Sequence, residues 1–193
     1  ATTEIYTLSL HDALPISGSN VAKLWLLNTL LYALVSPVGL IVAAGLLNTQ
    51  VEPWETFEEL ARRVEEFVSR LSDVEKAYAV ALLYPRLAYW YSLFGEVSKA
   101  EKFADKAVGA LEELRRSYAE DRVSTEEKLW EYLRVMQIRP DLKKELSGLS
   151  AYVHYHVAFA YMVADDLEKA AKHAKLSYEP TMESGEVYYE VAA

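Results

Sequence analysis

Two stretches of this chain lie 70 residues apart and read as copies. Lys99-Ala-Glu-Lys-Phe-Ala104 matches Lys169-Ala-Ala-Lys-His-Ala174, with both lysines and both alanines shared. Ahead of them, Leu87-Ala88 and Tyr91 correspond to Val157-Ala158 and Tyr161. Self-similarity at a fixed spacing is the signature of a solenoid, in which one supersecondary unit stacks on the next because a single unit cannot bury its apolar face alone. From Val21 onward the apolar residues recur every three or four positions, and no stretch of apolar/polar alternation is long enough to argue for a sheet. The expectation is an all-α chain.

Helix boundaries follow from the breakers and caps. Residues 21–35 form an apolar helix, and Ser36-Pro37 reads as the N-cap and first position of a second helix ending near Asn48. Pro53 opens a third, in which Trp54, Phe57, Leu60, Ala61, Val64, Phe67, Val68 and Leu71 make one face. Ser72-Asp73 caps a fourth that runs to Phe94, with a kink or break expected at Pro85, and Gly95 closes it. Further helices are predicted over 96–120, from the capping box Ser124-Thr-Glu-Glu127 to Gln137, from Pro140 to Leu146, over 149–164 after Gly148, and from Asp166 to a stop before Pro180. Short connections between helices imply antiparallel neighbours.

The repeated residues resemble the tetratricopeptide repeat (TPR), a helix–turn–helix unit. In the first copy Tyr84, Leu87, Ala88 and Tyr91 match the first helix of that family, Gly95 its turn, and Ala100, Ala104 and Ala107 its second helix. In the second copy the series is His154, Val157, Ala158, Tyr161, Asp165, Ala170, Ala174 and Ser177. The resemblance covers residues near 81–116 and 151–180, while 117–150 match poorly, and Pro85 and His154 depart from the family's usual choices. It implies antiparallel helix pairs stacked as a TPR-like α-solenoid over residues 18–193. It also implies a concave groove for a protein or peptide partner, lined by the first helix of each repeat. The positions carried over are Leu82, Pro85, Tyr89, Ser92 and Leu93 in one copy, and Tyr152, Tyr155, Phe159, Met162 and Val163 in the other. Of these, Tyr89, Tyr152, Tyr155, Phe159 and Met162 are the candidate anchors, because aromatic and Met side chains suit apolar groups of a partner. The Lys and Asn residues that clamp a terminal carboxylate in chaperone-binding members are absent. An aromatic stripe at helical spacing also reads as plain core.

Leu24 to Leu47 contains no charged residue and has two readings. As a membrane span it would anchor an acidic soluble array. As a buried hairpin over residues 21–48 it would break at Ser36-Pro37-Val38-Gly39 into two helices of ordinary length, with Asn28 and Thr29 satisfied at an interface. The mid-segment Ser-Pro step favours the hairpin, although Gly and Pro are tolerated in membrane helices.

The opening, Ala-Thr-Thr-Glu-Ile-Tyr-Thr-Leu-Ser-Leu-His-Asp-Ala-Leu-Pro-Ile, resembles, residue for residue, one reading frame of the adapter oligonucleotide used in short-read DNA sequencing. A secretory signal fits poorly, since no basic region precedes it and Glu4 and Asp12 interrupt the apolar run. Residues 1–17 are therefore expected to have no role in the fold, and the chain is expected to be a fragment of a longer protein.

Composition narrows the chemistry. There are 29 acidic against 20 basic residues, a net charge of −9, which disfavours a nucleic-acid partner. With no cysteine, disulfides, thiolate metal sites and cysteine nucleophiles are excluded. Neither a phosphate-binding glycine loop, a His-Glu-x-x-His pattern nor a nucleophile elbow is present. His154 and His156 are two apart, on nearly opposite sides of a helix, which speaks against a metal site; His154 is expected to fill a packing slot, and His156 and His173 to face water or a neighbour. The acidic pairs Glu58-Glu59, Glu65-Glu66, Glu112-Glu113 and Glu126-Glu127 belong to solvated faces, and Arg62-Arg63 and Arg115-Arg116 are too isolated to bind phosphates. The expectation is a non-enzymatic, cofactor-free, cytoplasmic interaction or scaffold segment, such as the C-terminal region of a larger regulatory ATPase-type protein. The alternatives are a membrane-anchored repeat protein with a span at 24–47 and an all-helical enzyme whose site carries no known motif.

Overall fold

Helix formers separated by short capped turns give a chain that is helical throughout the part described. The computed structural model describes residues 20–71, 73–119 and 142–184. Seven helices and no strand occur among the described residues: α1 (Asn20–Ala33), α2 (Pro37–Leu47), α3 (Pro53–Ser69), α4 (Asp73–Leu93), α5 (Val97–Ala119), α6 (Leu142–Val163) and α7 (Leu167–Ser184). The adapter-like segment, the predicted cap at Ser72 and the predicted helix at 124–137 lie outside the described residues. The chain divides into two compact units, Ala1–Phe67 and Val68–Ala193.

In the first unit, the apolar stretch is two helices that pack on each other. The break is chemical. Ser36 adopts an extended backbone, its Oγ accepts from the Gly39 N–H at 3.0 Å, and Pro37 supplies the first helical position, where a missing N–H costs nothing. Residues 24–47 are thus not one span, and among the described residues no helix is long and apolar enough to cross a membrane. Thr29 is satisfied within its own helix, donating to the Trp25 carbonyl at 2.8 Å, whereas Asn28 Oδ1 is buried and accepts no hydrogen bond from the described residues. Thr29 is therefore satisfied within its own helix rather than at an interface. The turn into α3 is tied by Thr56, fully buried, whose hydroxyl donates to the Gln50 carbonyl at 3.0 Å and pairs with Thr49 Oγ1 at 3.1 Å. On the solvent face of α3, Glu59 accepts from Arg62 at 2.6 Å and Arg63 at 2.7 Å, and Arg62 also bridges to Glu66. Three- and four-residue spacing makes these pairs neighbours.

In the second unit, α4 packs on α5 and α6 on α7, while α6 also packs on α4 and α5. The two partners of each hairpin differ. Every residue of α4 from Ala77 to Pro85 is buried, and so are Val153, His154, Val157, Ala158 and Tyr161 of α6. In contrast α5 buries one stripe, Ala100, Phe103, Ala104, Ala107, Leu111 and Leu114, at the spacing of a single helical face.

Three boundaries depart from expectation. Helix α4 runs through Pro85 to Leu93 without interruption, because a missing N–H removes one bond from a helix otherwise held by burial on all sides. The predicted break at Gly148 is absent: α6 is one helix from Leu142 to Val163, its glycine flanked by buried Leu146 and Leu149. Helix α7 extends past Pro180 to Ser184.

Candidate functional site

The site expected on the first helices of the hairpins is built from α4 and α6, and the turns that follow these helices set their register. After α4, Gly95 takes φ 78°, and the Glu96 N–H reaches back to the Tyr91 carbonyl at 2.9 Å while Gly95 N–H bonds to Ser92 O. After α6, Asp165 takes φ 63°, and the Asp166 N–H reaches the Tyr161 carbonyl at 2.9 Å while Asp165 N–H bonds to Met162 O. Both are left-handed helix stops that satisfy the last carbonyls of the helix.

The side chains around these turns also recur 70 residues apart. Tyr91 stacks on Phe103 with centroids 5.3 Å apart, and Lys99 Nζ lies 5.0 Å from the tyrosine ring. Tyr161 stacks on His173 at 5.7 Å, and Lys169 Nζ lies 4.8 Å from that ring. Tyr84 meets Phe103 edge-on at 4.9 Å, and at the matching positions His154 meets His173 at 5.1 Å. The two first helices touch at equivalent places too, since the Tyr152 hydroxyl donates to the Leu82 carbonyl at 2.9 Å.

The expected groove residues divide into three groups. Leu82, Pro85 and Ser92 are buried, and so belong to the core of the unit rather than to an open surface. Tyr89, Tyr155 and Phe159 are half-buried and come together: Phe159 lies 6.0 Å from Tyr89 and 5.2 Å from Tyr155, in edge and tilted arrangements that aromatic rings prefer. Tyr152 joins them through His156, 4.4 Å away, but its hydroxyl is committed to α4. Leu93, Met162 and Val163 stand exposed at the ends of α4 and α6. The arrangement is a half-buried aromatic strip running into exposed aliphatic groups.

Sequence reasoning missed His156 as a member of this strip. The side chain is buried rather than facing water, it lies 6.5 Å from Tyr89, and its Nδ1 is 2.9 Å from the Tyr152 carbonyl. Burial first, then the Arg86 charge, push its pKa down to about 3, so at neutral pH the ring is an uncharged donor. The missing signal was its position: Tyr152, Tyr155 and Phe159 lie four, one and three residues away.

Polar contacts tie α5 to α6 and α7. Arg115 donates to Ser150 Oγ at 2.7 Å, and the Tyr161 hydroxyl donates to Asp105 at 3.2 Å. Burial, helped by the Asp105 charge, pushes the Tyr161 pKa up to about 12. Lys169 bridges Asp166 at 3.0 Å and Glu101 at 3.2 Å, and its pKa is raised by those carboxylates. Among the described residues no group of three or more His, Asp or Glu side chains is placed to hold a metal ion. Comparison with protein-family models, curated proteins and solved structures finds no match to this chain.

Proposed function

We propose that residues 73–119 and 142–184 are a TPR-like pair of helical hairpins that mediates contact with a protein or peptide partner, without catalysis, in the cytoplasm. The observation that carries this reading is the aromatic strip of Tyr89, Tyr155 and Phe159, half-buried and continuous with exposed Leu93, Met162 and Val163. Half-burial is the useful state: the rings are pre-ordered by one another, so a partner that covers them gains apolar area with little further loss of side-chain freedom. Rigid aromatic side chains with neighbouring Met are the usual energetic centre of such contacts. The repeat reading is supported by the pairs of equivalent contacts at Gly95/Asp165, Tyr91/Tyr161 and Lys99/Lys169, and by the packing of α4 on α6.

The test is selection of a random displayed peptide library on the full chain. The expected outcome is enrichment of peptides with aromatic or aliphatic anchors, whose affinity falls about tenfold or more in Phe159→Ala, the cost of removing a central anchor. Glu112→Ala, on the exposed face of α5, leaves their binding unchanged. Failure to enrich any peptide, or equal binding by Phe159→Ala and the parent chain, overturns the reading.

A further inference from the structure

His154 on α6 and His173 on α7 face each other with their Nδ1 atoms 3.0 Å apart. Two imidazoles hold that distance only when one Nδ1 carries a proton and the other offers a lone pair. In the α4–α5 hairpin the equivalent positions are Tyr84 and Phe103, whose edge-on rings form a contact indifferent to acid. The second hairpin is thus fastened, at the same place, by a contact that depends on protonation. His154 is only 4% exposed, and the Tyr161 ring is stacked on His173. We infer that His154 and His173 form an acid-released latch: protonation of both rings sets two donors and two positive charges against each other and detaches α7 from α6, while the α4–α5 hairpin stays closed.

The surroundings favour release over retention. From α5, Arg115 adds positive charge near His154, and Asp105 draws the other way on His173. From α7 itself, Lys172 bears on both rings and Lys169 on His173. From α6, Tyr161 contributes a hydroxyl already given to Asp105. From α4 the charged group facing α6 is Arg86, which bears on His156 rather than on the pair. Burial, then the neighbouring His173, Arg115 and Lys172, push His154 down to about 4, and burial is also the main cause of the lowered value of His173. Once α7 leaves, each ring returns toward the ordinary value near 6.5, so protons are taken up on opening. For His154 alone the opening constant then rises about 30-fold between pH 8 and pH 5. His156, two residues away, packs toward Tyr89 of α4 and is not exposed when α7 departs. The latch is independent of the partner-binding reading.

The test is amide hydrogen exchange on the full chain at pH 7.5, 6.0 and 5.0, corrected for the intrinsic pH dependence of exchange. Protection of α7 is expected to fall about 30-fold or more across this range, and at each pH α7 is expected to exchange ahead of α4 and α5, which open only with the whole unit. The double variant H154Y/H173F, which installs the pair of the first hairpin, is expected to abolish the fall. A flat α7, or an equal fall in parent and variant, overturns the latch. If the variant does not fold, ring-nitrogen NMR of the parent chain decides. Loss of α7 contacts that tracks protonation of His154 and His173 supports the latch, and loss at lower pH with both rings still neutral overturns it.

Discussion

Three residues stop helices by entering the left-handed region: Asn48 at φ 58°, Gly95 at 78° and Asp165 at 63°. In each case an N–H one residue further on reaches back into the last turn, from Thr49 to Ala44, Glu96 to Tyr91 and Asp166 to Tyr161. Only glycine takes this conformation without a Cβ penalty, and Asn and Asp tolerate it through their short polar side chains. Asp165→Gly is therefore expected to stabilise the protein by about 0.5–1 kcal/mol, and Gly95→Ala to destabilise it by about 1 kcal/mol, both read from urea midpoints. Gly95 was legible as a turn from its residue type. Asp165 was legible as a turn both from the Asp165-Asp166 pair and from its place 70 positions after Gly95.

At the scale of elements, the α1–α2 hairpin depends on close approach. A Cβ on Gly39 would collide with the Ala33 carbonyl oxygen and come within 2.8 Å of Ala33 Cβ, and neither atom belongs to a flexible chain end that can swing aside. Gly39→Ala is expected to cost about 1–3 kcal/mol, the range for overpacking a tight site, whereas Gly45→Ala, with open space around its Cβ, is expected to stabilise α2 slightly. Thermal denaturation of the two variants checks the contrast. The Ser36-Pro37 start of α2 was readable because capping and proline geometry are local chemistry. The continuity of α4 through Pro85 and α6 through Gly148 was not, because burial against other helices outweighs the local penalty and leaves no trace in the adjacent residues.

Across the whole chain, the described histidines, His154, His156 and His173, all belong to the second unit, and all have pKa values lowered chiefly by burial. Their ordinary value in the unfolded chain is near 6.5. A lowered histidine contributes stability that is fully present above pH 6.5 and is lost as pH falls toward the folded value, about 4 for His154 and about 3 for His156. The second unit is thus expected to melt at a constant temperature between pH 7 and 8.5 and progressively lower between pH 6.5 and 4. His156→Gln, neutral throughout, is expected to flatten much of that slope. Melting followed by far-ultraviolet circular dichroism across this range, in both proteins, reads the difference.

The sequence by itself determined that the described part of this chain is helical and where most of its helices begin, because periodicity and capping are written in adjacent residues; self-similarity pointed to the two segments 70 residues apart whose turns and ring contacts match. It also named Tyr89, Tyr155 and Phe159. Only the tertiary structure decided that Leu82, Pro85 and Ser92 are core, that His156 joins the aromatic strip, and that His154 meets His173. Those outcomes depend on which face of α4 meets α6 and how α7 folds back. That is settled by burial and hydrogen bonding between residues up to 70 positions apart, such as Tyr152 and Leu82, rather than by any local pattern.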